Sequence, residues 1–354
     1  MTDATQPSDD PRPSDASKPS AAPRPSLATA WSRGLGLRSP IVCAPMGGVA
    51  GGRLAAAVSR AGALGTIGMG SAGSAAGLAR QLGALEAAGG THGAPFGIGV
   101  VEWGIRRDPA MFDVALGAGA ALISVGFSEG RFDWVERVHA AGALAATQVY
   151  DAREAIEAAD AGVDVVVARG SEGGGHGDPR LGTLPLLDAV LDAIGGRTTV
   201  LAAGGVGSPR TLAAVLAAGA DGGWVGTAFL ACPEAMTTDA SRRTILAADG
   251  ADTVNTRAAD AALGLPWAAR FPERVIRTAF VDEWSDRADE LADGASDAAV
   301  DARAAFAAAV AADDQAVVPF DAGQGVGRIT SARPAAEVVA ELAEGASALL
   351  ARYR

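Results

Sequence analysis

Short apolar runs alternate with Ala-rich amphipathic stretches along most of the chain, from about Pro40 onward. Stretches with helical periodicity, such as Arg53–Arg60, Ala152–Ala161 and Pro209–Ala217, separate the apolar runs. Single helices between buried strands are typical of right-handed βαβ units around a parallel sheet. The eight apolar runs with the length of buried strands are Ile41–Ala44, Leu64–Ile67, Phe96–Val101, Ala121–Val125, Leu144–Val149, Asp164–Ala168, Thr199–Ala203 and Gly223–Val225.

Pairs of Ala and Gly mark the end of the helical stretch in five places: Ala61-Gly62, Ala118-Gly119, Ala141-Gly142, Ala161-Gly162 and Ala218-Gly219. A Gly just past a helix adopts the left-handed backbone conformation that ends it at little steric cost. The next apolar run begins one or two residues later, so each pair predicts a helix-to-strand connection. Eight repeated units predict an α/β fold, a (β/α)8 TIM barrel, because the competing doubly wound sheet rarely needs eight such regular units.

The two ends of the chain depart from this pattern. Residues 1–26 contain six Pro and five Ser and no apolar segment, so we expect a disordered tail over 1–30 and the barrel over 31–232. Residues 233–320 carry helical signals and no strand of similar quality, and we expect a helical extension there. It either covers the barrel mouth or forms a subunit contact, as in a homodimer. A Gly-rich loop and an amphipathic helix over 321–354 are expected to pack back on the barrel.

Charge and composition exclude several classes of protein. The 29 basic and 41 acidic residues give a net charge of −12, the wrong sign for nonspecific binding of nucleic acid. The most apolar stretch, Val114–Phe127, is too short to span a membrane, and no signal-peptide core is visible, so we predict a cytoplasmic protein without a membrane partner. Cys43 and Cys232 have no zinc-ligand spacing, and no metal site is predicted.

Candidate chemistry lies where the predicted strands end, because barrel enzymes build their active sites at the C-terminal ends of the strands. Gly204-Gly205 follows the seventh strand and Gly226-Thr227 follows the eighth, which is where barrels bind phosphate. These Gly residues also permit tight turns without any ligand. Their occurrence at both strand ends favours a phosphate site.

His176 follows three Gly residues in the loop after the sixth strand, whereas His92 and His139 lie in helix-to-strand segments. An imidazole at this end of a barrel can act as a general base near neutral pH. Arg169 ends the otherwise apolar sixth strand, and its charge needs a partner, either a ligand anion or a carboxylate such as Glu172. Pro45 fixes the backbone before Met46, whose N–H could then face a planar ligand.

These motifs together resemble the nitronate monooxygenase (2-nitropropane dioxygenase-like) family of FMN-dependent barrels. The strand-six run from Glu172 to His176 and the Ala-Gly-Gly run of strand seven are fairly specific in combination. The matching stretches are Pro40–Met46, Leu54–Gly68, Gly162–Gly177, Gly182–Pro185, Val200–Val206, Gly226–Leu230, Arg277–Leu291 and Gly323–Ile329.

The resemblance implies FMN as cofactor and His176 as the catalytic residue beside the flavin. It implies that alkyl nitronates react with O2 to give a carbonyl compound and nitrite. The FMN phosphate would lie on Gly204, Gly205, Gly226 and Thr227, and the flavin ring over Ala44, Pro45 and Met46. Further cofactor-binding residues would be Gln148, Arg169, Gly174, Trp224 and Val225.

Three other functions stay open at this point, of which one, a metal-free phosphosugar isomerase on the same barrel, would lack flavin altogether. An NAD(P)H-dependent flavin reductase of the enoyl or quinone type on the same barrel would share the motifs, and reduction of its flavin by NAD(P)H would reveal it. A non-catalytic flavin-binding protein would bind the cofactor, and no electron donor would reduce it.

Overall fold

Eight parallel strands form a nearly closed barrel in the computed structural model, which describes residues 1–2 and 27–353. Hydrogen bonds join neighbouring strands around the barrel, and a parallel bridge between Val42 and Leu64 brings the first strand to the second. The predicted (β/α)8 barrel is therefore confirmed, and every barrel strand overlaps its predicted run. The barrel strands are β1 (Ile41–Cys43), β2 (Gly65–Met69), β3 (Phe96–Val101), β4 (Leu122–Gly126), β5 (Leu144–Val149), β6 (Val165–Arg169), β8 (Thr199–Ala203) and β9 (Gly222–Val225).

Helices connect consecutive strands on the outside of the barrel. The Gly residue of each of the five Ala-Gly pairs has a positive φ, between +69° and +106°, which confirms the predicted helix-to-strand turns. The helices of the barrel region are α1 (Ala30–Gly34), α2 (Gly52–Arg60), α3 (Ala75–Ala87), α4 (Glu102–Arg107), α5 (Pro109–Leu116), α6 (Trp134–Ala140), α7 (Ala152–Asp160), α8 (Thr183–Ile194) and α9 (Pro209–Ala217).

Alternate strand residues fill two separate apolar layers. Val165 and Val167 of β6 point into the barrel, while Val166 and Ala168 pack outward against the helices. The inner layer also contains Val42, Leu64, Leu122, Ala146, Leu201, Ala203 and Trp224. Trp31 of α1 packs against this layer near Gly222, where β9 begins, so this end of the barrel is filled.

A second, three-stranded antiparallel sheet lies beside the barrel, in the order β10, β11, β7. Its strands are β7 (Gly175–His176), β10 (Thr253–Thr256) and β11 (Glu273–Ile276). The expectation of no such strands within 233–320 is wrong. Both strands there have only four residues and are partly polar, with Thr253, Asn255 and Thr256 in β10 and Glu273 and Arg274 in β11, so neither forms an apolar run.

The rest of 233–320 is helical and has an apolar cluster of its own. Trp284, Leu291 and Phe306 are buried in this cluster. The helices are α10 (Asp239–Ala247), α11 (Ala258–Leu263), α12 (Ala279–Trp284), α13 (Ala288–Asp293) and α14 (Asp297–Ala311). Single 3₁₀ turns occur at Thr227–Phe229, Gly250–Asp252, Ser285–Arg287, Val326–Arg328 and Ala351–Tyr353.

The last helix, α15 (Ala335–Leu350), packs against α9 and α2 on the outside of the barrel. A Cβ at Gly345 would lie 2.6 Å from Cβ of Pro209, so the two helices meet at a glycine. Near the start of the chain, Thr29 caps α1, and its hydroxyl donates a hydrogen bond to the carbonyl oxygen of Asp221. Thr29 belongs to the segment 1–30 that was predicted as a disordered tail, and residues 3–26 of that segment lie outside the described residues. None of the described helices has the length and apolarity that crossing a membrane requires.

Candidate active site

A cavity of about 620 Å³ opens at the C-terminal ends of the barrel strands. Of the residues predicted to bind the cofactor or act in catalysis, all but one line it: Ala44, Pro45, Met46, Gln148, Arg169, Gly174, His176, Gly204, Gly205, Trp224, Gly226 and Thr227. Val225 is the exception, because neighbouring strand residues point to opposite faces. Trp224 faces the barrel interior, and Val225 is fully buried in the layer between strands and helices.

Backbone N–H groups at the ends of β8 and β9 form what we call the anion cradle: Gly204, Gly205 and Gly226. Within the described residues, these three N–H groups donate to no acceptor. Gly204 and Gly205 have φ values of +99° and +66°, and a Cβ on Gly204 would lie 2.7 Å from the carbonyl oxygen of Gly170. Glycine is therefore required at Gly204, and the cradle suits a phosphate that accepts backbone hydrogen bonds.

The turn after β1 brings Pro45 close to the neighbouring strands. The Met46 N–H donates to the carbonyl oxygen of Ala44 at 2.9 Å, so the expectation that it faces a planar ligand is wrong. A Cβ at Gly99 would lie only 2.2 Å from the Pro45 ring. The side chains of this turn, rather than its N–H groups, line the cavity.

His176 lies on β7 with its imidazole held on two sides. Its Nε2 lies 2.8 Å from Oδ2 of Asp260, and its ring is stacked on Trp267 with 3.7 Å between centroids and 11° between planes. Phe127 presents its ring at nearly a right angle, 6.5 Å away. With a side chain only 13% exposed, His176 is a preorganised group rather than a mobile loop residue.

Two buried carboxyl groups, Asp260 and Glu273, lie beside His176, and Asp321 lines the same cavity. Asp260 and Glu273 each place an oxygen within 4.8 Å of a His176 ring nitrogen and of each other. Burial, together with the nearby Asp321 and Asp260, raises the pKa of Glu273 well above its usual range, and Glu273 Oε1 has no hydrogen-bond partner in the described part of the chain. Desolvation by the surrounding protein likewise raises the pKa of Asp321, and the charges of His176 and Arg169 partly oppose that rise.

Arg169 supports the loop that carries His176. Its Nη2 donates to the carbonyl oxygens of Gly173, Gly174 and Gly175, at 2.9, 3.2 and 2.9 Å. These three carbonyls, and not the Glu172 carboxylate that the sequence suggested as one partner, accept from Arg169. Burial lowers the pKa of the Arg169 guanidinium.

The Glu172 carboxylate is engaged elsewhere, at the start of α8. It accepts hydrogen bonds from the Thr183 N–H at 2.9 Å and from the Thr183 hydroxyl at 2.8 Å. Glu172 therefore stabilises the turn after the His176 loop and is not the counter-ion of Arg169.

Sequence reasoning missed the residues that complete the site from outside the barrel strands. Asp260 and Trp267 come from the segment 233–320, which therefore covers the barrel mouth, and Phe127 follows β4 with a φ of +62°. Trp267 also donates to Ser71 Oγ at 3.0 Å. Aromatic residues make up only 5% of the chain, so the Trp that follows Pro266 was the feature of the sequence from which this contribution could have been predicted.

The two cysteines take no part in this chemistry. Both Cys43 and Cys232 are buried, and burial raises the pKa of the Cys232 thiol to about 12. A thiol that stays protonated at neutral pH is a poor nucleophile.

A parallel barrel with a fixed imidazole and unpaired backbone N–H groups at the strand ends has the arrangement of a barrel enzyme, whose active site lies at that end. The sequence model of the nitronate monooxygenase family matches residues 101–345. The chain is also 31% identical to the nitronate monooxygenase of Paraburkholderia phytofirmans over 284 residues, covering 67% of this chain and 75% of that protein. The chain belongs to the nitronate monooxygenase family and is an oxidoreductase.

Two further similarities agree with this assignment. A putative monooxygenase of Mycobacterium tuberculosis is 39% identical over 179 residues, which span 51% of this chain and 44% of that protein. The crystal structure of a nitroalkane oxidase from Streptomyces ansochromogenes superposes with a TM-score of 0.71 at 30% identity, covering 91% of this chain and 100% of that one.

Proposed function

We propose that this protein is an FMN-dependent nitronate monooxygenase that converts alkyl nitronates and O2 to a carbonyl compound and nitrite. The observation that carries the proposal is the placement of His176, fixed by Asp260 and Trp267, on the same cavity as the anion cradle. Membership of the family supports oxidation of nitronates in general.

The residues of the cavity fit FMN. The unpaired N–H groups of the anion cradle would hold the phosphate, and the turn from Ala44 to Met46 would lie against the flavin ring. The cradle uses backbone dipoles rather than Lys, which agrees with a chain of net charge −12. The electron transfer would be supplied by bound FMN, while the barrel supplies position and electrostatics.

His176 would handle the proton and the charge of the substrate. As a base, the imidazole would remove the α-proton of a neutral nitroalkane, leaving the nitronate anion beside an imidazolium. With a nitronate already formed, the same ring would orient the anion. The overall conversion of two nitronate anions and one O2 to two carbonyl molecules and two nitrite ions balances in atoms and charge.

The test is the visible spectrum of the purified protein before and after anaerobic addition of propyl-2-nitronate. We expect a flavin spectrum that bleaches, and nitrite and acetone after O2 is admitted. A flavin that nitronate leaves oxidised, or that only NAD(P)H reduces, contradicts the proposal. A protein that stays colourless after FMN is added contradicts the cofactor assignment.

A matched pair of variants tests the role of His176. We expect His176→Asn to lower kcat/KM for 2-nitropropane by about 100-fold, the usual contribution of a general base. His92 is exposed with a φ of +55°, a conformation that Asn tolerates, so His92→Asn serves as the control and should match the wild type.

A further inference from the structure

Asp260 reaches the active site from the helical extension, 84 residues from His176 in sequence. Both side chains of the pair are largely buried, with 13% of His176 and 8% of Asp260 exposed. Asp260 lies in the first turn of α11, where the backbone dipoles favour a negative charge. The contact therefore joins an imidazole and a carboxylate that water does not separate.

The hydrogen bond between them sets which ring nitrogen carries the proton. An ionised carboxylate only accepts, so with Asp260 ionised Nε2 of His176 is the donor to Oδ2. Among the described residues, the hydrogen bond of the His176 ring is made at Nε2, and Nδ1 makes none. In the neutral ring, Nδ1 then holds the lone pair, and stacking on Trp267 prevents the ring from turning.

We propose that Asp260 is a positioning residue that holds His176 in the Nε2–H tautomer and thereby makes Nδ1 the base toward neutral nitroalkanes. The substrate part of this inference rests on the proposed function. The α-proton passes to Nδ1 while its bonding pair stays on the substrate as the nitronate. The carboxylate of Asp260 then faces the imidazolium and stabilises it. A nitronate needs no such transfer, so its oxidation does not depend on the tautomer.

The neighbouring carboxyl groups do not replace Asp260 in this role. Glu273 lies opposite His176 in the antiparallel pairing of β7 with β11. Burial raises the pKa of its carboxyl group, which favours the protonated form. Asp321 lines the cavity and lies against Gly175, with Oδ2 3.6 Å from the Cβ position there, and it makes no hydrogen bond to His176 among the described residues. In the described part of the chain, the only side-chain hydrogen bond that His176 makes is the one between its Nε2 and Oδ2 of Asp260.

Long-range ¹H–¹⁵N NMR of the purified protein labelled in its three histidines tests the tautomer directly. The His176→Asn variant assigns the His176 signals, and His139, whose Nε2 lies 2.8 Å from Asp164, is an internal reference. We expect a protonated Nε2 and an unprotonated Nδ1 in His176. A protonated Nδ1 in the neutral ring overturns the inference. This readout requires neither substrate nor turnover.

Substrate discrimination by Asp260→Asn tests the consequence. We expect kcat/KM for neutral 2-nitropropane to fall about tenfold or more and that for propyl-2-nitronate to change less than about threefold. An equal fall for both substrates indicates a structural role and overturns the inference, as does a wild-type enzyme that oxidises nitronate but no neutral nitroalkane. Asp164→Asn removes the carboxylate of the exposed pair with His139 and serves as the control. It should leave the ratio of kcat/KM for 2-nitropropane to kcat/KM for propyl-2-nitronate unchanged.

A further variant keeps the test decisive if Asp260→Asn does not fold. Asp260→Glu retains a carboxylate, and we expect it to recover part of the nitroalkane activity and to keep the Nε2–H signal. Loss of the Nε2–H signal in a folded Asp260→Glu protein contradicts the inference. Wild-type protein that is inactive with both substrates overturns the proposed function, whereas the NMR result on the tautomer stands independently.

Discussion

Trp267 lies parallel to the imidazole of His176, with 3.7 Å between ring centroids and 11° between the planes. Phe127 and Trp103 contact the same indole at nearly right angles, 4.7 and 5.6 Å away. Trp267 of the extension and the barrel residues Phe127 and Trp103 thus form an aromatic wall beside the imidazole of His176.

Replacing Trp267 tests this wall. We expect Trp267→Ala to lower kcat/KM for nitroalkanes by about tenfold, because the ring of His176 loses its fixed orientation. Trp267→Phe, which retains a stacked ring, should recover most of the activity. Trp31 packs at the opposite end of the barrel, so Trp31→Phe should not change the rate. Steady-state kinetics that fail to separate Trp267→Ala from Trp31→Phe would contradict a positioning role.

Arg169 is expected to contribute to stability through the loop that it anchors. Arg169→Met leaves three backbone carbonyls without their donor, and we expect the free energy of unfolding to fall by about 3 kcal/mol. The control is Arg197→Met, which removes an exposed ion pair with Asp160 and should cost less than about 1 kcal/mol. Urea unfolding of both variants measures the difference, and equal losses would show that the loop contacts contribute little.

Gly204 is expected to be required for FMN binding as well as for stability. A Cβ at this position would lie 2.7 Å from the carbonyl oxygen of Gly170, and the φ of +99° is unfavourable for any residue with a side chain. Gly196 has a φ of +79° with no atom close to its Cβ position, so Gly196→Ala isolates the backbone strain of roughly 1–2 kcal/mol. We expect both variants to be less stable and only Gly204→Ala to bind FMN more weakly. Fluorescence titration with FMN would reject the anion cradle if the two affinities were equal.

The buried carboxyl group of Glu273 makes stability depend on pH with a defined sign. Because its folded-state pKa is raised, the native state favours the protonated form, and stability is lost as pH rises from 4.5 toward that folded pKa. Glu273→Gln cannot ionise, so its Tm should rise relative to the wild type between pH 5 and pH 8.

Glu290 provides the control of opposite sign. Hydrogen bonds from Arg287 and Ser296 lower its pKa to about 2, so its stabilising effect is complete above its unfolded value and lost only in acid. The Tm difference between Glu290→Gln and the wild type should therefore stay constant from pH 5 to pH 8. A similarly constant difference for Glu273→Gln would show that Glu273 is not held protonated.

The sequence by itself determined the barrel and most of the cavity. Strand-length apolar runs, helical spacing and Ala-Gly turns are local patterns, and the parallel topology brings every strand end to one face. Residues that follow the strands, such as His176 and Gly204, are therefore near one another in any barrel of this order. Local pattern was sufficient because each unit repeats the same short-range connection.

Only the tertiary structure decided which groups act on His176. Asp260 and Trp267 lie in a region without a repeating pattern, and their contacts depend on how the extension folds over the barrel. Likewise, the side of β9 that faces the cavity depends on strand register, which places Trp224 inside and Val225 outside. Such contacts join residues far apart in sequence, and their geometry follows from packing rather than from local periodicity.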